Sequence, residues 1–176
     1  MKRRWPAIGL LLLAVVGAVW FFVLRDEVVA PNIAFPEATA TLASGEDAVA
    51  VTANGVVLPW LPLPEDAELP ELPPVEPPQN GRLAGPMLEQ ARVLGAAPVA
   101  LRPYVERSYY GESGIDVELT TGIELLFGDS SQAAKKWKAA AAVLADPSIE
   151  TLDYVDLIAP ARPAVGGSGH TLPPGP

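Results

Sequence analysis

Hydrophobic and polar positions first divide the chain into an apolar start and a patterned remainder. Lys2, Arg3 and Arg4 precede residues 6–24, which contain no charged side chain. As a helix, this apolar segment is about 28 Å long, close to the hydrocarbon thickness of a bilayer. The pattern predicts a cytoplasmic tail at residues 1–6 and a transmembrane signal anchor at residues 7–24, with the rest of the chain outside the cytoplasm.

A cleaved secretory signal is the alternative to an anchor, because it also has a basic start and an apolar middle. Its apolar run is usually shorter, and cleavage needs small residues at the end of that run. Ala18 lies inside the run, and Ala30 is followed directly by Pro31. We therefore expect an uncleaved, single-pass anchor.

Periodicity after the anchor indicates both strands and helices. Apolar runs at 48–51 and 56–58 flank Asn54-Gly55, a strong signal for a hairpin turn. Helical spacing of apolar residues predicts one helix at 83–94 and a second that starts after 129–131 and ends near Leu144. Strands are predicted at 99–109, 115–119, 123–127 and 151–158.

These elements predict an α+β fold: a single transmembrane helix followed by a small antiparallel-sheet domain with two helices on one face. The expected boundaries are a linker or remnant of an earlier domain at 25–46, the extracytoplasmic domain at 47–165 and a disordered tail at 166–176. Residues 59–78 contain eight prolines and five acids, which predicts an extended strap pinned to the domain surface.

The composition of the chain excludes several kinds of catalytic and metal site. The chain carries a formal net charge of −9, no cysteine and a single histidine, His170. No thiol chemistry is available, and a histidine-based metal site or catalytic triad has almost nothing to be built from. Residues 26–81 contain ten acids and no Lys or Arg, so we expect no nucleic-acid binding and no adsorption of this part to anionic lipid.

The ordered series of elements resembles the FtsQ/DivIB cell-division family. Residues 48–58 are similar to its entry hairpin and residues 69–72 to its LP-x-L segment. Residues 115–128 are similar to its glycine-containing hairpin and 135–144 to its K-x-x-x-L helix. Tyr154-Val155-Asp156-Leu157 is similar to its I-D-L-R strand. The resemblance covers residues 47–165 and implies a non-enzymatic division scaffold without cofactor, metal or small-molecule substrate.

Two departures from the family pattern matter. The family's first extracytoplasmic domain, POTRA, needs about sixty residues, whereas only about twenty separate Leu24 from Asp47. That domain is therefore missing or strongly reduced, which puts in doubt the recruitment that the family attributes to it. Ile158 stands where the family has an arginine.

The resemblance also implies that the C-terminal edge of the domain binds FtsB-like and FtsL-like partners by strand addition. If residues 151–158 form a sheet edge, their unpaired N–H and C=O groups can accept another strand, and Pro160 and Pro163 confine the pairing. The expected partner-binding residues are Asp153, Tyr154, Val155, Asp156, Leu157, Ile158 and Ala159.

The remaining polar groups are interpreted as structural and not as catalytic or binding sites. Asp116 and Glu118 share one strand face and are interpreted as solvated. Residues 135, 136 and 138 are lysines on a mostly solvated helix face, and Trp137 is interpreted as core. Residues 166–169 have the composition of a flexible linker, and His170 receives no role.

The sequence thus predicts a bitopic scaffold of the inner membrane, expected at the division septum, that tethers other division proteins. A membrane-anchored envelope enzyme, or an assembly factor unrelated to division, is the alternative. The enzyme would need a concave cluster of acids, and the sequence shows only scattered ones.

Overall fold

The structure, a computed structural model, describes residues 36–44, 47–63, 69–74, 78 and 80–174. The chain divides into two compact units, residues 1–35 and 36–176, and all described residues belong to the second. The predicted cytoplasmic tail, the anchor and the start of the linker lie outside the described residues. Among those described, no helix combines the length and hydrophobicity needed to cross a bilayer.

Within the described residues, nine strands form one sheet. The strands are β1 (Ala38–Ser44), β2 (Asp47–Thr52), β3 (Val57–Leu58), β4 (Glu71–Leu72), β5 (Val105–Gly111), β6 (Gly114–Leu119), β7 (Glu124–Gly128), β8 (Thr151–Asp156) and β9 (Ala164–Thr171). The helices are α1 (Gly85–Gly95) and α2 (Ala133–Leu144), with a 3₁₀ turn at Arg102–Tyr104. Across the sheet the order is β3-β2-β1-β4-β5-β6-β7-β8-β9.

The two-helix α+β architecture is confirmed, but the prediction of an antiparallel sheet is wrong because the sheet is mixed. β4 runs parallel to both β1 and β5, and β7 runs parallel to β8. Parallel neighbours need a crossover connection, which a tight turn cannot provide. The chain leaves β7, forms α2 and returns as β8, so α2 is the crossover between these two strands.

The predicted hairpin around Asn54-Gly55 is confirmed. β2 and β3 pair antiparallel with Val51 opposite Val57, and Gly55 has a φ of 75° that favours glycine. The sheet also extends ahead of Asp47. β1, in the segment assigned to the linker, pairs with β2 on one side and with β4 on the other.

Part of the proline-rich strap lies in the sheet rather than on its surface. β4 has only two residues, and it occupies the position between β1 and β5. Thr41 N–H donates to Pro70 O at 3.0 Å, and Leu72 is 2% exposed. Proline on either side limits the strand, since it provides no N–H to continue the pairing. Trp60, in contrast, is 62% exposed.

α1 and α2 pack on the same face of the sheet. α1 buries Ala91, Val93 and Leu94. Gly95 is the last residue of α1. It lies so close to Ala53 that a Cβ atom would clash with that residue.

Trp137 joins the two helices, which confirms its place in the core. The side chain is fully buried, and its Nε1–H donates to Val93 O of α1 at 2.7 Å. Its ring packs against that of Phe127 with centroids 5.1 Å apart. The contact holds α2 against both α1 and β7.

The solvated interpretation of the lysines is wrong for Lys136, which is 2% exposed. Its Nζ donates to Phe127 O at 2.8 Å and to Asp129 Oδ1 at 2.7 Å. A buried ammonium group is tolerated when its donors are satisfied. The same pair lowers the pKa of Asp129 through the hydrogen bond from Lys136.

Leu72→Ala tests whether β4 carries stability out of proportion to its length. We expect a loss of about 2–5 kcal/mol in the free energy of unfolding, because a fully buried leucine is removed between two strands. Chemical denaturation of the full chain in detergent, followed by tryptophan fluorescence, measures it. Leu61→Ala, on a half-buried leucine outside the strands, is the control and should cost clearly less. Equal losses of unfolding free energy in the two variants would show that β4 contributes no more to stability than the strap residues outside the strands.

Candidate partner-binding edge

β8, predicted to form the free edge, lies inside the sheet. Tyr154 is opposite Glu124 of β7 on one side and Gly166 of β9 on the other. The prediction of an edge at residues 151–158 is therefore wrong. The sequence predicts that Pro160 and Pro163 confine strand addition to the residues before them. In the structure Pro160 lies within the turn between β8 and β9 and Pro163 directly follows it, and the Arg162 N–H closes this turn by donating to Ala159 O at 2.8 Å.

The free edge is β9, which sequence reasoning missed. β8 pairs with one side of β9, and within the described part of the chain no strand pairs with the other side. The predicted disordered tail at 166–176 is thus ordered as a strand up to Thr171. Glycine-rich composition is typical of a linker, so the sequence carried no strand pattern here.

The glycines of β9 make room for side chains of β8. A Cβ atom on Gly166 would clash with the Tyr154 ring, and one on Gly167 would clash with the Asp153 carboxylate. Gly169 N–H donates to Asp153 Oδ1 at 2.6 Å. Large side chains on β8 therefore lean over β9, and glycine is required because of this close approach.

The end of the chain ties β9 to the domain. Leu172 packs against the hydrophobic core, and Tyr104 Oη donates to Pro174 O at 3.1 Å. Together with Leu101 and Leu144, these tail residues line an apolar cavity of about 520 Å³. His170, which the sequence analysis left without a role, lies in β9 with its ring against Gly122.

The predicted partner-binding residues divide by exposure. Val155 and Leu157 are fully buried and cannot contact a partner without unfolding. Tyr154 is 39% exposed and Ile158 is 52% exposed. The residues with at least part of their surface exposed are Asp153, Tyr154, Asp156, Ile158 and Ala159.

The sheet face opposite the helices is rich in carboxylates, and we call it the outer face. Its residues are directly opposite one another across the strands. One row contains Glu71, Arg107, Glu118, Glu124 and Tyr154, and the next contains Tyr109, Asp116, Leu126 and Asp156.

Polar contacts on the outer face link neighbouring strands. Arg107 donates to Glu118 Oε2 through Nη2 at 2.6 Å and through Nε at 2.8 Å, and its guanidinium lies 5.7 Å from the Tyr109 ring centroid. Tyr109 Oη donates to Glu124 Oε1 at 2.5 Å, so this bond connects β5 to β7 across β6. No sequence signal reports a contact between strands that are not neighbours.

Asp116 is a buried carboxyl group, so its interpretation as solvated is wrong. It is 5% exposed, and its Oδ1 has no hydrogen-bond partner among the described residues. Burial, and then the nearby charge of Glu124, raise its pKa from 3.8 to about 6. Gly111 leaves the space that the carboxylate fills, since a Cβ atom there would clash with it. Burial also raises the pKa of Tyr109.

These groups are spread over an open surface. Across the described residues, no set of three or more His, Cys, Asp or Glu side chains is placed to hold a metal ion. The described domain is thus a small α+β domain with a mixed sheet, one bare sheet face and one free strand edge.

The chain belongs to the FtsQ/DivIB family. The family model described as cell division protein FtsQ/DivIB, C-terminal, matches residues 40–157, which is two thirds of the chain. A search of curated proteins finds no match. The family match confirms the resemblance seen in the sequence and indicates a cell-division role, and this family consists of non-enzymatic scaffolds. The match begins in β1 and ends just after β8, so β9 lies outside it.

Asp116→Asn tests the burial of this carboxyl group. A pKa raised on folding means that the folded state holds the proton more tightly, so ionised Asp116 destabilises the fold at high pH. We expect the variant to be about 3 kcal/mol more stable than the parent at pH 8. The difference should shrink through the window from pH 6 to pH 4 and vanish below it. Unfolding titrations at several pH values measure the difference.

Glu112→Gln, in the exposed β5–β6 turn, is the matched control and should show no such dependence on pH. A stability difference for Asp116→Asn that stays constant from pH 4 to pH 8 would contradict the assignment.

Proposed function

We propose that this protein is a membrane-anchored division scaffold whose extracytoplasmic domain binds other division proteins by strand addition at β9. The family match supports the division role, and the free edge of β9 is the observation that supports this mode of binding. The uncleaved anchor, the inner-membrane location and FtsB-like and FtsL-like partners are parts of the same proposal.

The backbone of β9 determines where a partner strand can pair. Tyr154 is opposite Gly166 while Leu152 is opposite His170, so β9 has two more residues than β8 between these positions. This bulge twists the edge and interrupts regular pairing. Gly169 N–H is already bonded to Asp153. The longer regular stretch is Ala164–Gly166, and we propose that the partner strand begins pairing there.

Side chains beside this stretch would select the partner. Tyr154 and Asp156 of β8 are opposite Gly166 and Ala164, and both have exposed surface. Because Gly166 has no side chain, the Tyr154 ring reaches over it toward the edge. In strand addition the main chain supplies affinity and flanking side chains supply specificity. We therefore propose that Tyr154 and Asp156 contact the partner, although their own strand is not the edge.

Photo-crosslinking at Val165 tests strand addition. Val165 is 46% exposed in β9, and Val99 is 76% exposed in a loop before β5. A photoreactive amino acid at each position, in the full chain in living cells, is compared by mass shift and mass spectrometry. We expect adducts with other membrane proteins at Val165 and few at Val99, because the partner backbone lies about 4.8 Å from the edge strand. Equal adduct yields at the two positions would refute binding at this edge.

Localisation tests the division role separately. We expect a fluorescent fusion at the N-terminus of the full chain to form a band at midcell in dividing cells. Fluorescence microscopy with a membrane dye measures the ratio of midcell to lateral signal. A uniform rim in dividing cells would instead favour the envelope enzyme or assembly factor.

A further inference from the structure

Among the described residues, the outer face carries five carboxylates and one cation. Its two rows contain Glu71, Glu118, Glu124, Asp116 and Asp156 against a single Arg107. Arg107 is bonded to Glu118. Among the described residues, no cation lies within ion-pair distance of Glu71, Asp116, Glu124 or Asp156.

Asp116 gives an independent sign that this face lacks a counter-charge. Its side chain is buried beside Glu124, and no donor among the described residues reaches Oδ1. An unpaired buried acceptor costs about 1–3 kcal/mol, more when it is charged. A cation placed on the surface above it would reduce that cost through the low dielectric of its surroundings, even without touching Oδ1. The four described ion pairs leave this position without one.

The spacing of the acids and the apolar residues between them restrict the kind of partner that can supply cations to the outer face. Four of these five acids lie on three consecutive strands, with Glu118 and Asp116 on β6, Glu124 on β7 and Asp156 on β8. Neighbouring strands are about 4.8 Å apart, and side chains one turn apart on a helix are separated by about 5.4 Å. A helix that crosses these strands can therefore place one side chain over each. Leu126 and Tyr154 offer apolar contact between the acids.

We propose that the outer face binds a basic amphipathic helix of a partner protein, with Arg or Lys side chains one turn apart over β6, β7 and β8. The surface adjoins β9, so the inference extends the proposed function by adding a second contact area beside the edge. Anionic lipid and nucleic acid are disfavoured, because their phosphates would face these carboxylates. Arg is the better match, since its planar guanidinium can bind a carboxylate with two hydrogen bonds.

The test measures binding of a synthetic helical peptide to the full chain in nanodiscs of zwitterionic lipid. The peptide is alanine-rich with three arginines at positions i, i+4 and i+7, and its comparison peptide has the same composition with the arginines around the helix. The variant Glu124→Gln/Asp156→Asn removes two charges from the face. Its control, Glu112→Gln/Glu150→Gln, removes two exposed charges elsewhere.

We expect the outer-face variant to weaken binding of the arginine-stripe peptide about tenfold and the control to change it less than twofold. The comparison peptide should bind more weakly, and affinity should fall as salt rises. Equal loss in both variants, or equal binding of both peptides, would show non-specific attraction and overturn the proposal.

Arg107→Gln is expected to tighten peptide binding, a result that loss of folding would not produce. Removing the only cation of the outer face leaves Glu118 unneutralised, so we expect binding of the arginine-stripe peptide to become several-fold tighter. Unchanged or weaker binding, with the thermal melt of the parent retained, counts against the proposal.

Crosslinking at Val165 tests strand addition at β9 independently of peptide binding to the outer face. If its adducts persist while the peptide fails to bind, only this inference falls. If the peptide binds while the adducts are absent, only the edge proposal falls.

Discussion

The sheet depends on two residues of a proline-rich segment. Glu71 and Leu72 pair with β1 on one side and β5 on the other, and among the described strands no other joins these two parts of the sheet. The strand is parallel to both neighbours, a pairing that only a long connection allows. Leu72 points into the core, where α1 contacts β1, β4 and β5. The strap is thus a structural member of the domain.

The other end of the sheet depends on residues that lack side chains. Glycines in β9 let Tyr154 and Asp153 lie across it, and the bond from Gly169 N–H to Asp153 shapes the bulge. The same glycines leave the backbone of the edge open. A free edge invites uncontrolled pairing, and bulges and short regular stretches limit it. β9 has both features, which suits an edge that pairs with a selected strand.

Electrostatics and topology act together on the outer face. The helices pack on one side, so charged residues at alternate strand positions collect on the other. Tyr109 links β5 to β7 by its bond to Glu124, and Arg107 neutralises Glu118. Asp116 remains buried, and no donor among the described residues reaches its Oδ1, which costs the domain stability. A buried polar group without a partner indicates either stored strain or an absent binding partner. The surrounding acids, most of which have no ion pair among the described residues, favour an absent cationic partner.

Local patterns in the sequence determined a large part of this protein. Asn54-Gly55 determined the turn between β2 and β3, apolar periodicity determined α1 and α2, and the series of elements was enough to identify the family. These features depend on neighbours along the chain, so they can be read without the fold. β9, the insertion of β4 and the burial of Asp116 and Lys136 were decided by tertiary structure alone. Each depends on residues distant in sequence: Tyr154 over Gly166, β1 and β5 beside Leu72, Glu124 beside Asp116. A glycine-rich segment has no pattern of its own, and it becomes a strand only because β8 offers a partner for its backbone.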